Sequence, residues 1–297
     1  MIELPPQCPL DEAVERLGKN LVVWATPSVR DLLPWKVSSA LPDGAEWLLA
    51  VGGGTLIDRA KIVRAGRPGL KLAALPTIWG SGAEASPIAV LNVGAKKTIR
   101  MSPDLRPDLI VSHPALAQSL PAHLVKAACG DTWAHALEGF LSPLASDELR
   151  ADLAEVIRRL LALPLAFAPE WFEVSALACA GQSQAGVGLI HGAAHVLELA
   201  PGSQRSHARL CALLLFPVMR FNAAQSAKWS QLLQAHALPE PGIWKTLRAL
   251  FDAADYAALR PALAAHWRTI LRDPCTRTNS ALVRPGDLAF FENFHAA

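Results

Sequence analysis

Two histidine-containing segments have residue types and spacings that could bind a metal ion. Asp131 and His135 stand four apart with no Gly or Pro between them, so on an α-helix both side chains leave the same face. His191 and His195 repeat this spacing, and His207 follows a short loop. Carboxylate and imidazole suit Fe²⁺ or Zn²⁺, and the lack of a thiolate among them argues against a closed structural zinc site. Either pair alone could also be a half-buried surface pair.

A glycine turn after an apolar run is a second candidate site. The run W-L-L-A-V begins at Trp47 and is typical of a buried parallel strand. It leads into a helical stretch through Gly52, Gly53, Gly54 and Thr55. Glycines let the backbone approach a phosphate, and the N–H groups at a helix start favour its negative charge. An ordinary tight turn would also explain the triplet.

The elements that must position these residues change character along the chain. Apolar runs near residues 19–27, 47–51, 71–76 and 107–114 predict strands, and residues 88–100 predict a hairpin. From about residue 115 apolar residues recur at helical spacing, over 121–141, 146–166, 173–199, 207–234 and 243–270. We therefore predict an α/β cofactor domain with a parallel, abbreviated Rossmann-like sheet over residues 1–118, and an all-helical metal-binding domain over 119–297.

Three segments resemble the metal-binding half of the iron-containing alcohol dehydrogenases. They read G-D-T-W-A-H-A-L-E-G-F, H-G-A-A-H-V-L-E and H-A-R-L-C-A-L-L-L-F-P-V-M-R-F-N. The resemblance implies a dehydroquinate synthase-like fold with the active site in the cleft between two domains. It also implies that the metal ligands are Asp131, His135, His191 and His207, and that His195 is the non-ligand histidine beside the nicotinamide.

The glycine turn resembles the cofactor-binding turn of the same family, with Thr55 where Ser is usual. The segment after the next strand resembles the one that lines the nicotinamide and phosphate side, although hydroxyls are absent at residues 78 and 83. The resemblance implies cofactor contacts for Thr77, Gly80 and Ser81.

Two charged positions near the turn carry less specific expectations. We assign Asp58 to the cofactor site, although Asp58 and Lys61 would also fit a solvated or structural pair. In the hairpin, Lys96 or Lys97 could meet an anionic substrate or the cofactor ribose, and we assign Lys97 to the cofactor site. Exposed hairpin lysines are the commoner case.

One departure from the family concerns the nucleoside end of the site. Family members place a βαβ unit, with an acidic residue for the adenosine ribose, before the glycine turn. Residues 26–46 are too few to hold that unit. We therefore expect weak dinucleotide binding and poor discrimination between NAD and NADP.

Composition excludes several classes of partner. The formal net charge is +2, and no Lys/Arg-rich run alternates with aromatics, so nothing indicates nucleic-acid binding. No apolar stretch reaches the roughly 18 residues that a membrane span needs. The five cysteines are scattered among apolar neighbours, which suits reduced thiols. The first residues lack the basic start and apolar run of a signal peptide, so we expect a cytoplasmic protein.

The sequence therefore predicts a metal-dependent, NAD(P)-linked alcohol/aldehyde oxidoreductase that uses Fe²⁺ or Zn²⁺. The metal would polarise a carbonyl, and His195 would relay or position the proton. We expect a small-molecule substrate and a homodimer. Two alternatives stay open. One is maleylacetate reductase-like reduction of an anionic oxoacid, and the other is a non-redox binding protein that keeps the metal beside a degenerate nucleotide site.

Overall fold

The computed structural model describes residues 1–94 and 96–295, which divide into two compact units. The strand-containing unit comprises Glu3–Leu120 and Pro169–Ala180, and the helical unit comprises Met1–Ile2, Pro121–Ala168 and the residues from Gly181 onward. Residues 169–180 pack with the strand-containing unit, where Trp171 stacks on Trp79 with ring centroids 5.9 Å apart. Both indoles are buried, so the apolar contact fixes this segment. The functional division between residues 118 and 119 stays a prediction.

The strand-containing unit is built on a parallel sheet. Its described elements are β1 (Gln7–Pro9), α1 (Leu10–Arg16), β2 (Leu21–Ala25), β3 (Trp47–Gly52), α2 (Gly54–Ala65), β4 (Lys71–Pro76), β5 (Ile88–Val93), β6 (Lys96–Met101) and β7 (Leu109–Ser112). The described strands form a five-stranded sheet in the order β1-β7-β4-β3-β2, in which every neighbouring pair is parallel. β5 and β6 form the predicted antiparallel hairpin.

The central strands are apolar on both faces. In β3, Leu49 and Val51 enter one buried cluster, whereas Leu48 and Ala50 enter the other together with residues of α2. Successive side chains of a strand point to opposite faces, so a continuous apolar run requires cover on both sides. The predicted parallel α/β unit is confirmed.

The stretch between β2 and β3 has little regular secondary structure. It contains a 3-10 helix, Pro27–Leu32, and an isolated bridge between Val23 and Val37. Within the described residues no βαβ unit lies here, as the residue count predicted.

The second unit is helical, as predicted. Its described helices are α3 (Ala122–Leu141), α4 (Asp147–Ala162), α5 (Glu170–Ala185, which begins in the strand-containing unit), α6 (Leu189–Glu198), α7 (His207–Gln225), α8 (Lys228–Ala235), α9 (Glu240–Leu250), α10 (Ala253–Ile270) and α11 (Leu288–Glu292). Among the described residues no single helix has the length and apolarity to cross a membrane. One pair, α7 with α8, passes that test only jointly and is bent by 98°.

Three predicted helical stretches, 173–199, 207–234 and 243–270, are each two helices. Gly186 breaks the first with φ of 76°, a conformation that favours glycine. Ser226 breaks the second with an extended backbone. Asp252 breaks the third, because its side chain accepts a hydrogen bond from Asp255 N and caps α10. Helical spacing continues across such breaks, so periodicity alone did not reveal them.

Glu84 is a buried carboxyl group in the strand-containing unit. Only 2% of the residue is exposed, and Oε1 has no hydrogen-bond partner among the described residues. It lines a cavity of about 270 Å³ together with Pro76, Ser112 and His113. Burial raises the pKa of Glu84 from 4.5 to about 7, because the charged form loses its hydration there.

We expect Glu84→Gln to stabilise the protein at about pH 8 but not at about pH 4, by about 1–3 kcal/mol at the higher pH. The raised pKa means that the folded state favours the protonated carboxyl. The stability that Glu84 contributes is therefore present below about pH 4.5 and is lost as the pH rises through about 7. Unfolding midpoints at both pH values measure the effect. Exposed Glu15 provides the control variant Glu15→Gln, and an equal shift at both pH values would contradict the prediction.

Candidate metal centre and nucleotide site

Helix α3 carries the first two predicted metal ligands on a buried face. Asp131 is 1% exposed and His135 is 6% exposed. The neighbouring Gly130 lets α7 approach closely, because a Cβ atom at Gly130 would lie 2.4 Å from Cβ of Ala212. The two helices can therefore bring their side chains to one point.

Glu138 holds the third predicted ligand, His191, in place. Its Oε1 accepts a hydrogen bond from Ile190 N at 2.7 Å and so satisfies an N–H at the start of α6. Its Oε2 lies 2.7 Å from His191 Nδ1. A carboxylate on one ring nitrogen fixes the tautomer and leaves the other nitrogen for a metal. Sequence analysis missed Glu138, although it lies seven residues after Asp131 and thus on the same helix face.

The four predicted ligands come together inside the helical unit. Oδ1 of Asp131 lies 3.7 Å from His191 Nε2 and 3.8 Å from His135 Nδ1. The Nε2 atoms of His135 and His191 are 3.0 Å apart, and the rings of His191 and His207 have centroids 5.4 Å apart.

A divalent metal ion fits this arrangement. Asp131 Oδ1 is buried and has no hydrogen-bond partner among the described residues. A buried carboxylate oxygen without a partner is costly, and a cation would remove that cost. The carboxylate and imidazole donors are those expected for Fe²⁺ or Zn²⁺. Asp131, His135, His191 and His207 would hold the ion.

The charges at this point are strongly coupled. Burial raises the pKa of Asp131, but the nearby His135, His191 and His207 outweigh burial and leave that pKa below its usual range. Burial lowers the pKa of His191, but Cys211, Asp131 and Glu138 raise it well above the ordinary value. The site therefore favours an ionised carboxylate on Asp131 and a positive charge on His191. A bound metal ion can supply that positive charge instead.

Cys211 lies at the same point, although its thiol was not among the predicted ligands. Its Sγ lies 3.5 Å from His207 Nε2. Ligand atoms of Asp131, His191, His207 and Cys211 all lie within 4.8 Å of one another. Burial raises the pKa of Cys211 to about 12. The signal in the sequence was the i, i+4 spacing of His207 and Cys211 on one helix.

His195 lies beside the centre but faces a different group. Its Nδ1 lies 3.8 Å from Asp273 Oδ2 and 3.8 Å from Cys275 Sγ. Its ring stacks on His207 with centroids 5.3 Å apart. Burial raises the pKa of Asp273, but hydrogen bonds from His195 and from the Cys275 N–H outweigh burial and lower it. Asp273 is thus an ionised partner for His195 that sequence analysis missed.

The predicted phosphate-binding residues assemble in the strand-containing unit. Gly53 is the N-cap residue of α2 and has no side chain to cap it, so the first N–H groups of α2 are suited to an anion. Thr77 N donates to Gly52 O at 3.2 Å, and Gly80 N donates to Ser175 Oγ at 2.8 Å. Gly52, Gly53, Gly54, Thr55, Thr77, Gly80 and Ser81 therefore lie where β3 and β4 end and α2 begins.

The three glycines of the turn differ in how much room each has for a Cβ atom. A Cβ at Gly54 would lie 2.7 Å from Ser81 Oγ, and one at Gly52 would lie 2.8 Å from a Thr26 methyl carbon. A Cβ at Gly54 would therefore clash with the stem of Ser81, and one at Gly52 would push the ends of neighbouring side chains aside. A Cβ at Gly53 would meet only Ile78 at 3.7 Å, which is an ordinary contact. Packing within the unit does not explain glycine at residue 53.

Asp58 and Lys97 lie farther along α2 and on the hairpin. Asp58 Oδ1 accepts from Lys61 Nζ at 3.1 Å, and Oδ2 accepts from Val90 N at 3.0 Å. These contacts join α2 to β5, so Asp58 has a structural role. Lys97 pairs with Asn92 across the hairpin, and its positive charge acts to lower the pKa of Asp58. Cofactor contacts of Asp58 and Lys97 stay predictions, and the side chain of Lys96 lies outside the described residues.

Comparisons with known proteins agree with this architecture. The family model described as iron-containing alcohol dehydrogenase matches residues 35–114. The chain is 33% identical over 193 residues to 1-propanol dehydrogenase PduQ of Salmonella typhimurium, covering 59% of this chain and 51% of the relative. It is 26% identical over 313 residues to the probable alcohol dehydrogenase EutG of Escherichia coli, covering 88% and 76%.

A solved structure shows the same fold. Sulfoacetaldehyde reductase from Bifidobacterium kashiwanohense, in complex with NAD+, superposes with a TM-score of 0.78 at 18% identity, covering 98% of this chain and 97% of that one. The chain spans about half the length of PduQ. The chain is therefore similar in sequence to iron-containing alcohol dehydrogenases over part of its length.

Proposed function

We propose that the chain is a metal-dependent, NAD(P)-linked oxidoreductase of small alcohols and aldehydes that uses Fe²⁺ or Zn²⁺. The observation that carries this proposal is the convergence of Asp131, His135, His191 and His207 around a buried carboxylate oxygen without a hydrogen-bond partner. A structural metal site would not need His195 and Asp273 beside it. A polar pair next to a Lewis-acid site suits proton transfer.

Relatives support the reaction class by their names. PduQ is a 1-propanol dehydrogenase and EutG a probable alcohol dehydrogenase, and the structural neighbour is a reductase in complex with NAD+. Gly53 and the start of α2 supply the corresponding phosphate-binding turn. An anionic substrate, as in the maleylacetate reductase alternative, is included in the substrate panel below.

Each residue has a defined task in this proposal. A bound divalent ion would polarise a substrate carbonyl, and a bound nicotinamide would supply or accept hydride. Glu138 keeps His191 Nδ1 engaged, so that Nε2 faces Asp131. His195 Nδ1 lies 3.8 Å from both Asp273 Oδ2 and Cys275 Sγ, so we assign Nε2 as the atom that exchanges a proton with the substrate oxygen.

Metal analysis combined with a cofactor assay tests the proposal. Purified protein is expected to contain one Fe²⁺ or Zn²⁺ per chain and to oxidise NADH or NADPH with a small aldehyde. Chelation should remove the activity, and adding back metal should restore it. The panel includes neutral aldehydes and anionic oxoacids. Stoichiometric metal without turnover of any carbonyl compound would favour the binding-protein alternative. If the protein binds no metal, the proposal is wrong.

His195→Ala is expected to retain metal but to lose turnover by about 10²-fold, because a general acid/base is removed while the ligands remain. The metal content of the variant and its kcat under saturating cofactor are the measurements. His123→Ala, on the exposed first turn of α3, is the matched control. Loss of metal in His195→Ala would make His195 a ligand instead.

Two further properties are proposed from the sequence. We propose a homodimer, which light scattering in solution tests. We also propose that the functional division follows residues 1–118, for the dinucleotide, and 119–297, for the metal. The cytoplasmic location stays a prediction.

A further inference from the structure

We propose that Cys211 is a sulfur ligand of the metal centre and that it shifts the metal preference of the site toward Zn²⁺. This inference rests on the metal site proposed above. It goes beyond that site because the four ligands proposed above are one carboxylate and three imidazoles, with no sulfur among them.

Cys211 Sγ lies at a ligand-to-ligand distance from His207, within a compact group of donors. Tetrahedral ligands with bonds of about 2.0–2.3 Å to zinc lie about 3.3–3.8 Å from one another. Cys211 Sγ lies 3.5 Å from His207 Nε2, and Asp131 Oδ1 lies 3.7 Å from His191 Nε2. All four donors lie within 4.8 Å of one another.

The surroundings of the thiol also point to a ligand. Cys211 is fully buried, and Asp131, which is 1% exposed, has an oxygen without a hydrogen-bond partner among the described residues. A cysteine that served only as apolar filling would need apolar neighbours around its sulfur. Here the sulfur shares its space with a carboxylate and two imidazoles.

His135 and Cys211 then offer two ways to complete the same coordination sphere. His135 Nε2 lies 3.0 Å from His191 Nε2, which is shorter than the spacing of two tetrahedral ligands. Three donors, Asp131, His191 and His207, are common to both ways. With Cys211 as the fourth, the ion is bound by two anionic donors and two imidazoles, and the thiol proton is released on binding.

A thiolate changes which metal the site selects. Thiolate is a soft ligand that favours Zn²⁺, whereas carboxylate and imidazole alone accept Fe²⁺ readily. We expect wild-type protein to take up Zn²⁺ in preference to Fe²⁺ from an equimolar anaerobic mixture. Cys211→Ser should shift this preference toward Fe²⁺ by on the order of tenfold.

Cobalt substitution tests the sulfur bond directly. Metal-free protein is titrated with Co²⁺, because a Co²⁺–thiolate bond gives an intense charge-transfer band in the near ultraviolet. We expect one Co²⁺ per chain with this band in the wild type, loss of the band with retention of Co²⁺ in Cys211→Ser, and both unchanged in Cys129→Ser. Cys129 is a buried cysteine of α3 outside the four-residue group.

The possible results distinguish failure of the sulfur ligand from failure of the metal site itself. Stoichiometric Co²⁺ without the band, or a band that persists in Cys211→Ser, overturns the sulfur ligand but keeps the metal site. Failure to bind Co²⁺ or Zn²⁺ at all overturns both. X-ray absorption of zinc-loaded wild type needs no variant, so it decides the question even if Cys211→Ser does not fold. A sulfur scatterer at about 2.3 Å supports the proposal, and a nitrogen- and oxygen-only shell overturns it.

Discussion

Replacing His191 with alanine is expected to remove the metal and the catalytic turnover together. His191 lies at the middle of the cluster, 3.0 Å from His135 and 3.7 Å from Asp131 between ligand atoms. Its removal opens the coordination sphere and also leaves Glu138 Oε2 without its imidazole partner. We expect turnover to fall by about 10³-fold or more, because both ligand and orientation are lost.

Metal content and rate must be measured on the same preparation. His123→Ala provides a histidine-to-alanine control on the same unit, at an exposed position. Unfolding midpoints show whether the variant is folded. A separate variant, Glu138→Gln, tests how much the carboxylate contributes by positioning His191. Glu138→Gln should weaken metal affinity by about 10–100-fold while keeping all ligands. His191→Ala protein with stoichiometric metal and full turnover would show that the assignment is wrong.

Replacing Gly53 with valine is expected to abolish NAD(P) binding while leaving the strand-containing unit folded. Gly53 has φ of −80°, which other residues adopt, and a Cβ there meets only Ile78 at 3.7 Å. The expected loss therefore comes from the ligand: a branched side chain would keep a pyrophosphate away from the N–H groups at the start of α2. Calorimetry should show affinity reduced by at least about tenfold, or about 1.4 kcal/mol.

The neighbouring glycine makes an informative contrast. Gly54→Ala should lower the unfolding midpoint, because its Cβ would lie 2.7 Å from Ser81 Oγ. Gly53→Val should lower the midpoint less than Gly54→Ala does, because the Cβ at Gly53 meets only Ile78. Unaltered cofactor affinity in Gly53→Val would show that this turn does not bind the phosphates.

The same titrations test the abbreviated nucleoside end. The wild type is expected to bind NAD and NADP weakly and with little preference, because discrimination requires an acidic or basic residue placed at the ribose 2′ position. Residues 26–46 hold a 3-10 helix and a single bridge rather than a βαβ unit. Tight binding with a strong preference for one cofactor would contradict this expectation.

The sequence by itself determined the elements and most of the donors. Unbroken apolar runs predicted strands buried on both faces, because a parallel sheet needs cover on both sides. The i, i+4 spacing of Asp131 and His135 and of His191 and His195 predicted which side chains share a helix face. Periodicity did not reveal the breaks at Gly186, Ser226 and Asp252, because apolar spacing continues across a turn.

Only the tertiary structure decided which residues far apart in sequence meet. Glu138 reaches His191 across 53 residues, and Cys275 reaches His195 across 80. Nothing in either segment specifies the other, because the packing of α3 on α6 sets the first distance and the packing of the 3-10 helix Pro274–Thr278 on α6 sets the second. The packing of α7 on α3 and α6 brings the buried Cys211 thiol close to Asp131 and His191. The tertiary structure also showed that a Cβ would be crowded at Gly52 and Gly54 but not at Gly53, since that distinction depends on neighbours contributed by other segments.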